Sequence, residues 1–429
     1  MKKSIYNIII NEGYNNNLIY NSFSGALVNL NEEYYKILNN LEVSNEKSKI
    51  IDELKNVGLL VEDSVDEIKV LERKRNEIIQ NESILSLTIA PTLNCNLNCS
   101  YCFEEKKVGI MNTNTLNNIV TFVKNTIING KIKKISIKWF GGEPLMAKNI
   151  IYDLSEKLIG LCENNNIKYE AGIITNGCLI DDDFLVQAVR YKINFFQITL
   201  DGTREFHNKV KKFNNDKPTF DIILNNIKKV KSYGIKTIVR VNVSRANSHC
   251  LDDLIEFLQC EKLDDVHIYL GYIQSFNNKL EFCSNKCLTK EEYSKRYIDF
   301  YKKITDKQFT YGIEKQYPKI RINYCGATKN NSFVIDNDGY IYKCWNEIGN
   351  RDARMCTIEQ LDVYDGNNHK YADWNPYKNK ECIKCNVLPI CGGGCPNLSN
   401  IYKQLDCQQS KYGIKELMKE IYCYKKGRG

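Results

Sequence analysis

A chain of 429 residues is too long for one ordinary core, and at roughly 100–200 residues per domain it divides into two or three. With 43% hydrophobic and 26% charged residues, and no apolar run near the roughly 18 needed to span a bilayer, it reads as a soluble globular protein without a membrane partner. The formal net charge of +8 comes from lysines scattered among Glu and Asp, which describes a solvated surface and not a nucleic-acid-binding stripe.

The chain opens Met1-Lys2-Lys3-Ser4-Ile5, and residues 8–10 are followed at once by Asn11, Glu12 and Gly13. No signal-peptide core develops, so the expected location is the cytoplasm. Residues 5–10, 18–20 and 24–28 read as short strands, and 32–41 and 47–56 as helices. Residues 58–61 then make a short strand or wing, and 66–80 a charged linking helix, completing a small, separable unit. From residue 84 the texture changes to apolar runs at 84–90, 135–140, 171–175, 195–200, 237–243 and 266–270, separated by helical segments. That alternation predicts parallel βαβ units, with ligands at the C-terminal ends of the strands. Past about residue 310 the helical rhythm fades and cysteine, glycine and turn residues take over, as in a domain organised by metals.

Eighteen cysteines in a reducing compartment point to metal binding and away from structural disulfides. The first apolar run leads through Pro91-Thr92-Leu93-Asn94 directly into Cys95-Asn96-Leu97-Asn98-Cys99-Ser100-Tyr101-Cys102. Three thiolates in this CxxxCxxC loop can hold three irons of a 4Fe-4S cluster and leave the fourth iron open. Zinc is the competing reading, but it asks for a fourth ligand of fixed kind. The second run ends in Trp139-Phe140-Gly141-Gly142-Glu143-Pro144. Thr175-Asn176-Gly177 follows the third, Asp201-Gly202 the fourth, and Arg240-Val241-Asn242 lies on the fifth. Asn-Gly and Asp-Gly also serve simply as turns.

Together these motifs resemble the radical S-adenosylmethionine (SAM) superfamily over roughly residues 84–305. The resemblance implies that Cys95, Cys99 and Cys102 are the catalytic cluster ligands, with Tyr101 as the aromatic residue before the third cysteine. It implies an open iron that chelates SAM and a 5′-deoxyadenosyl radical that abstracts hydrogen from an unactivated carbon. Gly141, Gly142, Glu143 and Pro144 match the family's GGEP motif, which meets the SAM ammonium. Asn176, Asp201 and Arg240 fall where the family places polar groups near the SAM ribose and carboxylate.

The later cysteines resemble the SPASM extension of such enzymes, which binds two auxiliary 4Fe-4S clusters in an interleaved way. The resemblance assigns Cys325, Cys344 and Cys395 to the nearer cluster and Cys382, Cys385, Cys391 and Cys407 to the distal one, making three 4Fe-4S clusters in all. Cys283, Cys287 and Cys356 are candidates for the nearer cluster's fourth ligand, while a zinc ribbon competes for residues 382–395. Cys162, Cys178, Cys250, Cys260 and Cys423 read as buried small apolar residues. Residues 1–80 resemble the winged-helix domain that captures a leader peptide by adding it as a strand to a sheet edge.

The expected fold is therefore α/β: a partial (β/α)6 TIM-type barrel at 81–310, a winged-helix-like domain at 1–80 and a cluster-binding SPASM domain at 311–429. The implied activity is modification of a ribosomally made precursor peptide bearing a leader, forming cysteine thioether crosslinks, with a flavodoxin- or ferredoxin-type electron donor. Anaerobic sulfatase maturases share both cluster regions, but that family carries a catalytic Asp directly after the second SPASM cysteine, where this chain reads Cys344-Trp345-Asn346-Glu347. From another class, a non-catalytic iron–sulfur carrier or redox regulator would use the winged helix on nucleic acid. It has no use for a SAM-type loop or GGEP, and no Arg-dense recognition helix is present.

Overall fold

The six apolar runs form parallel strands because a helix between each and the next is long enough to carry the chain back to its starting edge. They are Ile84–Ile89, Lys134–Trp139, Lys168–Thr175, Ile193–Thr199, Lys236–Val243 and His267–Tyr272. The computed structural model describes residues 1–13, 16–40, 48–274, 287–363 and 369–427. Leu41, Lys47 and Cys283, which entered the sequence reading, lie outside the described residues. The described residues form two compact units, one within Gln80–Leu288 and Gly326–Ala372, the other within Met1–Ile79, Thr289–Cys325 and Asp373–Gly429.

In the first of these units the six strands lie side by side in chain order. A doubly wound sheet would reverse order at a switch point; unbroken order is the winding of a barrel wall. Registers such as Ile84↔Lys134 through Ile89↔Trp139 align all the C-terminal ends along one rim. One face is dry: Leu85, Leu87, Ile89, Ile137, Trp139, Ile173, Ile198, Val241 and Leu270 alternate along their strands and are buried, while the other face carries half-buried Ser86, Ser136, Gln197, Thr199, Arg240 and Asn242. Against them pack Leu116, Ile119 and Val123 of Thr113–Ile128, Leu154 and Leu158 of Lys148–Asn164, and Ile223, Ile227 and Val230 of Phe220–Ser232.

The same sheet continues past its first strand. Ser332–Ile335 pairs parallel with Ile84–Ile89, Tyr340–Tyr342 returns antiparallel, and Cys356–Thr357 closes the edge. Residues 326–372, expected with the C-terminal cysteines, thus belong to the barrel sheet. The apolar run Phe333-Val334-Ile335 followed by Asp336-Asn337-Asp338-Gly339 is the hairpin signal that announces it.

In the second unit, Asn7–Asn11, Asn17–Asn21 and Leu27–Leu30 form an antiparallel sheet, followed by helices Glu32–Asn39 and Ser48–Asn56. The wing-like Leu60–Val61 pairs with Lys2–Lys3, and Glu67–Ile79 supplies the linking helix. The N-terminal piece does not pack by itself: Tyr6 and Leu71 share one apolar cluster with Tyr377, Cys382 and Leu388. Nor does helical structure fade at the C-terminus: Ser410–Lys426 is a helix burying Ile414, Met418 and Ile421. Its i, i+4, i+7 apolar stripe is diluted by intervening Lys, Glu and Tyr, which hid the periodicity. No described helix is long and apolar enough to cross a membrane.

Candidate active site and cysteine centres

The loop after the first strand carries Cys95, Cys99 and Cys102 and is held like a strand from one side. Ser100 N donates to Val210 O at 3.0 Å, Asn98 N to Lys212 O at 2.8 Å and Asn214 N to Asn96 O at 3.3 Å. Asn176, at the end of the third strand, reaches the loop from another side: its Nδ2 donates to Asn96 Oδ1 at 2.9 Å and lies 3.8 Å from Cys95 Sγ. Burial pushes the Cys95 thiol up to about 12. Such a thiol ionises only beside a strong positive charge, as bound iron provides. Among the described residues no three His, Cys, Asp or Glu side chains form a site for a single metal ion. A cubane cluster spaces its thiolates around several irons and does not draw them to one point.

Gly141 and Gly142 press against that same loop. A Cβ at Gly141, whose φ is +109°, would lie 2.4 Å from Thr92 O, and one at Gly142 would lie 2.3 Å from Asn94 O. Glu143 N donates to Asn94 O at 2.9 Å, and Pro144 opens the short helical turn Pro144–Ala147. The Glu143 side chain is fully buried. Its Oε1 accepts from Leu145 N at 3.0 Å and Thr175 Oγ1 at 2.7 Å, and its Oε2 from Asn176 N at 2.8 Å. Glu143 therefore ties the ends of the second and third strands together beneath the loop, with both oxygens engaged by this chain's own donors.

Above the loop lies a cavity of about 190 Å³ lined by Cys99, Tyr101, Cys102, Phe103, Phe140, Ile174, Lys211 and Arg240 among others. Arg240 donates through Nε to Asn242 Oδ1 at 2.8 Å and lies over the Tyr269 ring. Asp201, at the fourth strand's end, is fully buried. It accepts from the Tyr101 hydroxyl through Oδ2 and from Asn242 N through Oδ1 at 2.9 Å, and Lys211 Nζ stands 3.6 Å from Oδ2. It thus braces the loop and does not line the cavity. Lys211, His207 and Thr219 were not singled out by sequence reasoning, since Asn208-Lys209-Val210-Lys211-Lys212 looks like a solvated basic run.

Cys344 is buried just beyond the strand Tyr340–Tyr342. The ring of Trp345, next in sequence, lies 5.3 Å from that of Phe140 on the cavity wall. Glu347 is buried and paired with Lys370 at 2.5 Å. Cys356 is buried opposite Ile341, and Cys287 is disulfide-bonded. The background reading of five other cysteines holds for Cys162 and Cys250, which are buried, but Cys260 and Cys423 are exposed. Cys178 is half-buried and electrostatically coupled to Cys95 and Cys99, so it is part of the loop's surroundings.

In the other unit, Cys382, Cys385, Cys391 and Cys407 all line one small cavity of about 30 Å³, with Lys411 Nζ 3.4 Å from Cys407 Sγ. Burial pushes Cys382 up to about 12. Gly392, Gly393 and Gly394 all take positive φ, and a Cβ at Gly394 would meet Asp406 O at 2.0 Å. Only glycines permit the reversal that brings residues 391 and 407 to one cavity. Cys395 and Cys325 are electrostatically coupled within this unit, and burial pushes Cys395 up to about 11.

Comparison with known proteins bears on the whole arrangement. Residues 89–258 match the radical SAM superfamily. The chain is 26% identical over 358 residues to a cysteine-type anaerobic sulfatase-maturating enzyme of Clostridium novyi, covering 74% of this chain and 90% of that one. It is 24% identical over 426 residues to the radical SAM cyclopropyl synthase TigE of Paramaledivibacter caminithermalis, covering 88% and 85%. Its fold matches that of Streptococcus suis SuiB bound to the precursor peptide SuiA with a TM-score of 0.54 at 17% identity, covering 94% of this chain and 97% of SuiB.

Proposed function

Because this chain carries a radical SAM domain homologous to anaerobic sulfatase maturases and to SuiB- and TigE-type peptide modifiers, we propose that it crosslinks a ribosomally made precursor peptide through cysteine thioethers. Cys95, Cys99 and Cys102 would hold the SAM-cleaving cluster. When bound, SAM and that cluster supply a 5′-deoxyadenosyl radical that takes a hydrogen atom from carbon. The chain's own part is to orient and to exclude water. Lys211 and Arg240 offer cations to a carboxylate, and Phe103, Phe140 and Ile174 offer an apolar wall to a flat ring. Closing a carbon–sulfur bond also removes the thiol proton and one electron, so an electron acceptor is required. By the resemblance, the remaining cysteines would hold two auxiliary clusters, Cys382, Cys385, Cys391 and Cys407 the distal one and Cys325, Cys344 and Cys395 the nearer one. A flavodoxin- or ferredoxin-type protein would supply the electron that starts the reaction.

The observation that carries the choice against formylglycine formation is the position after Cys344. Trp345 packs on Phe140 there, and the nearest acid, Glu347, is already committed to Lys370, so no free carboxylate follows the cysteine as a general base. Support for a leader comes from a groove of about 330 Å³ beside the strand Leu27–Leu30, lined by Val28, Leu30, Leu54 and Val57 with Tyr34 and Glu53. A strand-adding leader would place an aliphatic side chain there, with a basic residue near Glu53.

The test is anaerobic reconstitution with SAM, dithionite and a short cysteine-rich peptide encoded beside the gene. Deoxyadenosine together with loss of two hydrogens per crosslink, and cysteines no longer alkylated by iodoacetamide, is the expected result. Formylglycine from a sulfatase-type peptide would instead place the chain with the sulfatase maturases, and iron without deoxyadenosine would leave an electron carrier.

A further inference from the structure

Between the fourth strand and the segment that clips the cysteine loop lies a ring of buried polar groups with His207 at its centre. His207 is fully buried, as are Asp201 and Thr219. Asp201 N donates to His207 Nδ1 at 3.1 Å, which makes Nδ1 the lone-pair nitrogen and puts the hydrogen on Nε2. Nε2 lies 3.0 Å from Thr219 Oγ1, whose own hydroxyl donates to Lys211 O at 2.8 Å. Lys211 Nζ then returns to within 3.6 Å of Asp201 Oδ2, closing the ring. Every link has one allowed polarity, so the ring needs a neutral imidazole in one tautomer. Burial first, then the Lys211 charge, depress the His207 pKa to about 3 in spite of Asp201, the opposing neighbour.

What the ring joins is informative. Residue 201 holds the Tyr101 hydroxyl, and residue 211 belongs to the segment whose carbonyls at Val210 and Lys212 hold Ser100 and Asn98. His207 with Thr219 thus couples two separate grips on the same loop, and the same linkage holds Lys211, which lines the cavity. We propose that His207 is a positioning residue, acting through Thr219 and Asp201, that sets the placement of the Lys211 cation relative to the cysteine loop and thereby the affinity for SAM. The inference rests on the radical SAM domain and not on the thioether chemistry.

The experiment is SAM binding to the full-length, anaerobically reconstituted protein, followed by the SAM-induced change in the electron paramagnetic resonance spectrum of the reduced cluster. No peptide is needed, so its outcome is separate from that of the crosslinking assay. Thr219→Val keeps the volume but removes the hydroxyl, and is expected to weaken SAM binding about tenfold with iron content close to wild type and a melting temperature a few degrees lower, since His207 Nε2–H and Lys211 O lose their partner. Thr219→Ser should restore the wild-type dissociation constant, and His207→Phe should weaken binding at least as much as Thr219→Val. Unchanged SAM affinity in Thr219→Val overturns the proposal. So does a fall in melting temperature in both Thr219→Val and His207→Phe while whatever protein folds and loads iron binds SAM normally, because that is a purely structural role. If His207→Phe does not fold, the Thr219 pair decides alone.

Discussion

Burial keeps the Cys95 thiol protonated, raised to about 12, so it passes to the thiolate only as metal binds. Replacing Cys95, Cys99 or Cys102 by Ala should therefore remove about four irons per chain and abolish deoxyadenosine formation, measured by iron assay and chromatography. Full iron with intact SAM cleavage would refute the assignment. His207 yields a second prediction at this scale. Its folded pKa of about 3 lies below the ordinary 6.5, so between these values the unfolded chain binds a proton that the folded chain refuses. Stability is then fully present above about pH 6.5 and falls as pH drops toward 3, by up to about 1.4 kcal/mol per pH unit from this one group. Urea unfolding of the metal-free protein should show that slope, and His207→Gln should reduce it. His267, also lowered by burial, leaves a residual slope.

Among the elements, the turn at Gly141-Gly142 and the cysteine loop form one packed assembly because two backbones approach without side chains between them. A methyl group at Gly142 would stand 2.3 Å from Asn94 O and 2.6 Å from Leu93 O. Gly142→Ala should cost about 1–3 kcal/mol and reduce iron in the loop, read by thermal denaturation and by the cluster's absorbance. Gly160 is the control: a Cβ there meets nothing within 4 Å, so Gly160→Ala inside its helix should raise stability by about 0.5–1 kcal/mol and leave iron unchanged. Unequal positions within one residue type would then be explained by packing alone.

Taken as a whole molecule, the chain is not organised in the order in which it is written. Residues 1–79 share a compact unit with Thr289–Cys325 and Asp373–Gly429. Ser22 Oγ donates to Asn386 O, Arg75 to Trp374 O, and Asn375 Nδ2 to Glu72 Oε1 at 2.7 Å. Deleting residues 1–79 should accordingly do more than abolish leader binding. It uncovers Tyr377, Cys382 and Leu388, so the truncated protein should lose about four irons from the distal cysteine set, or precipitate. A truncated protein with undiminished iron would show that the N-terminal piece is separable after all.

Short-range spacing was enough to declare the three-cysteine loop, the Gly-Gly turn and the alternating strands and helices, because each is written within a few residues or a simple period, whereas the grouping of the four distal cysteines came from the resemblance. The six strands fall within a few residues of their apolar runs. Tertiary structure alone decided the rest. Glu143 and Asp201 turn inward as braces, since a carboxylate is directed by donors arriving from other strands. Lys211 became a cavity cation only when the helix carrying His207 packed beneath it. Ser332–Ile335 joined the barrel sheet, and the first 79 residues joined the last 57, because pairing and apolar burial reward proximity in space whatever the separation along the chain.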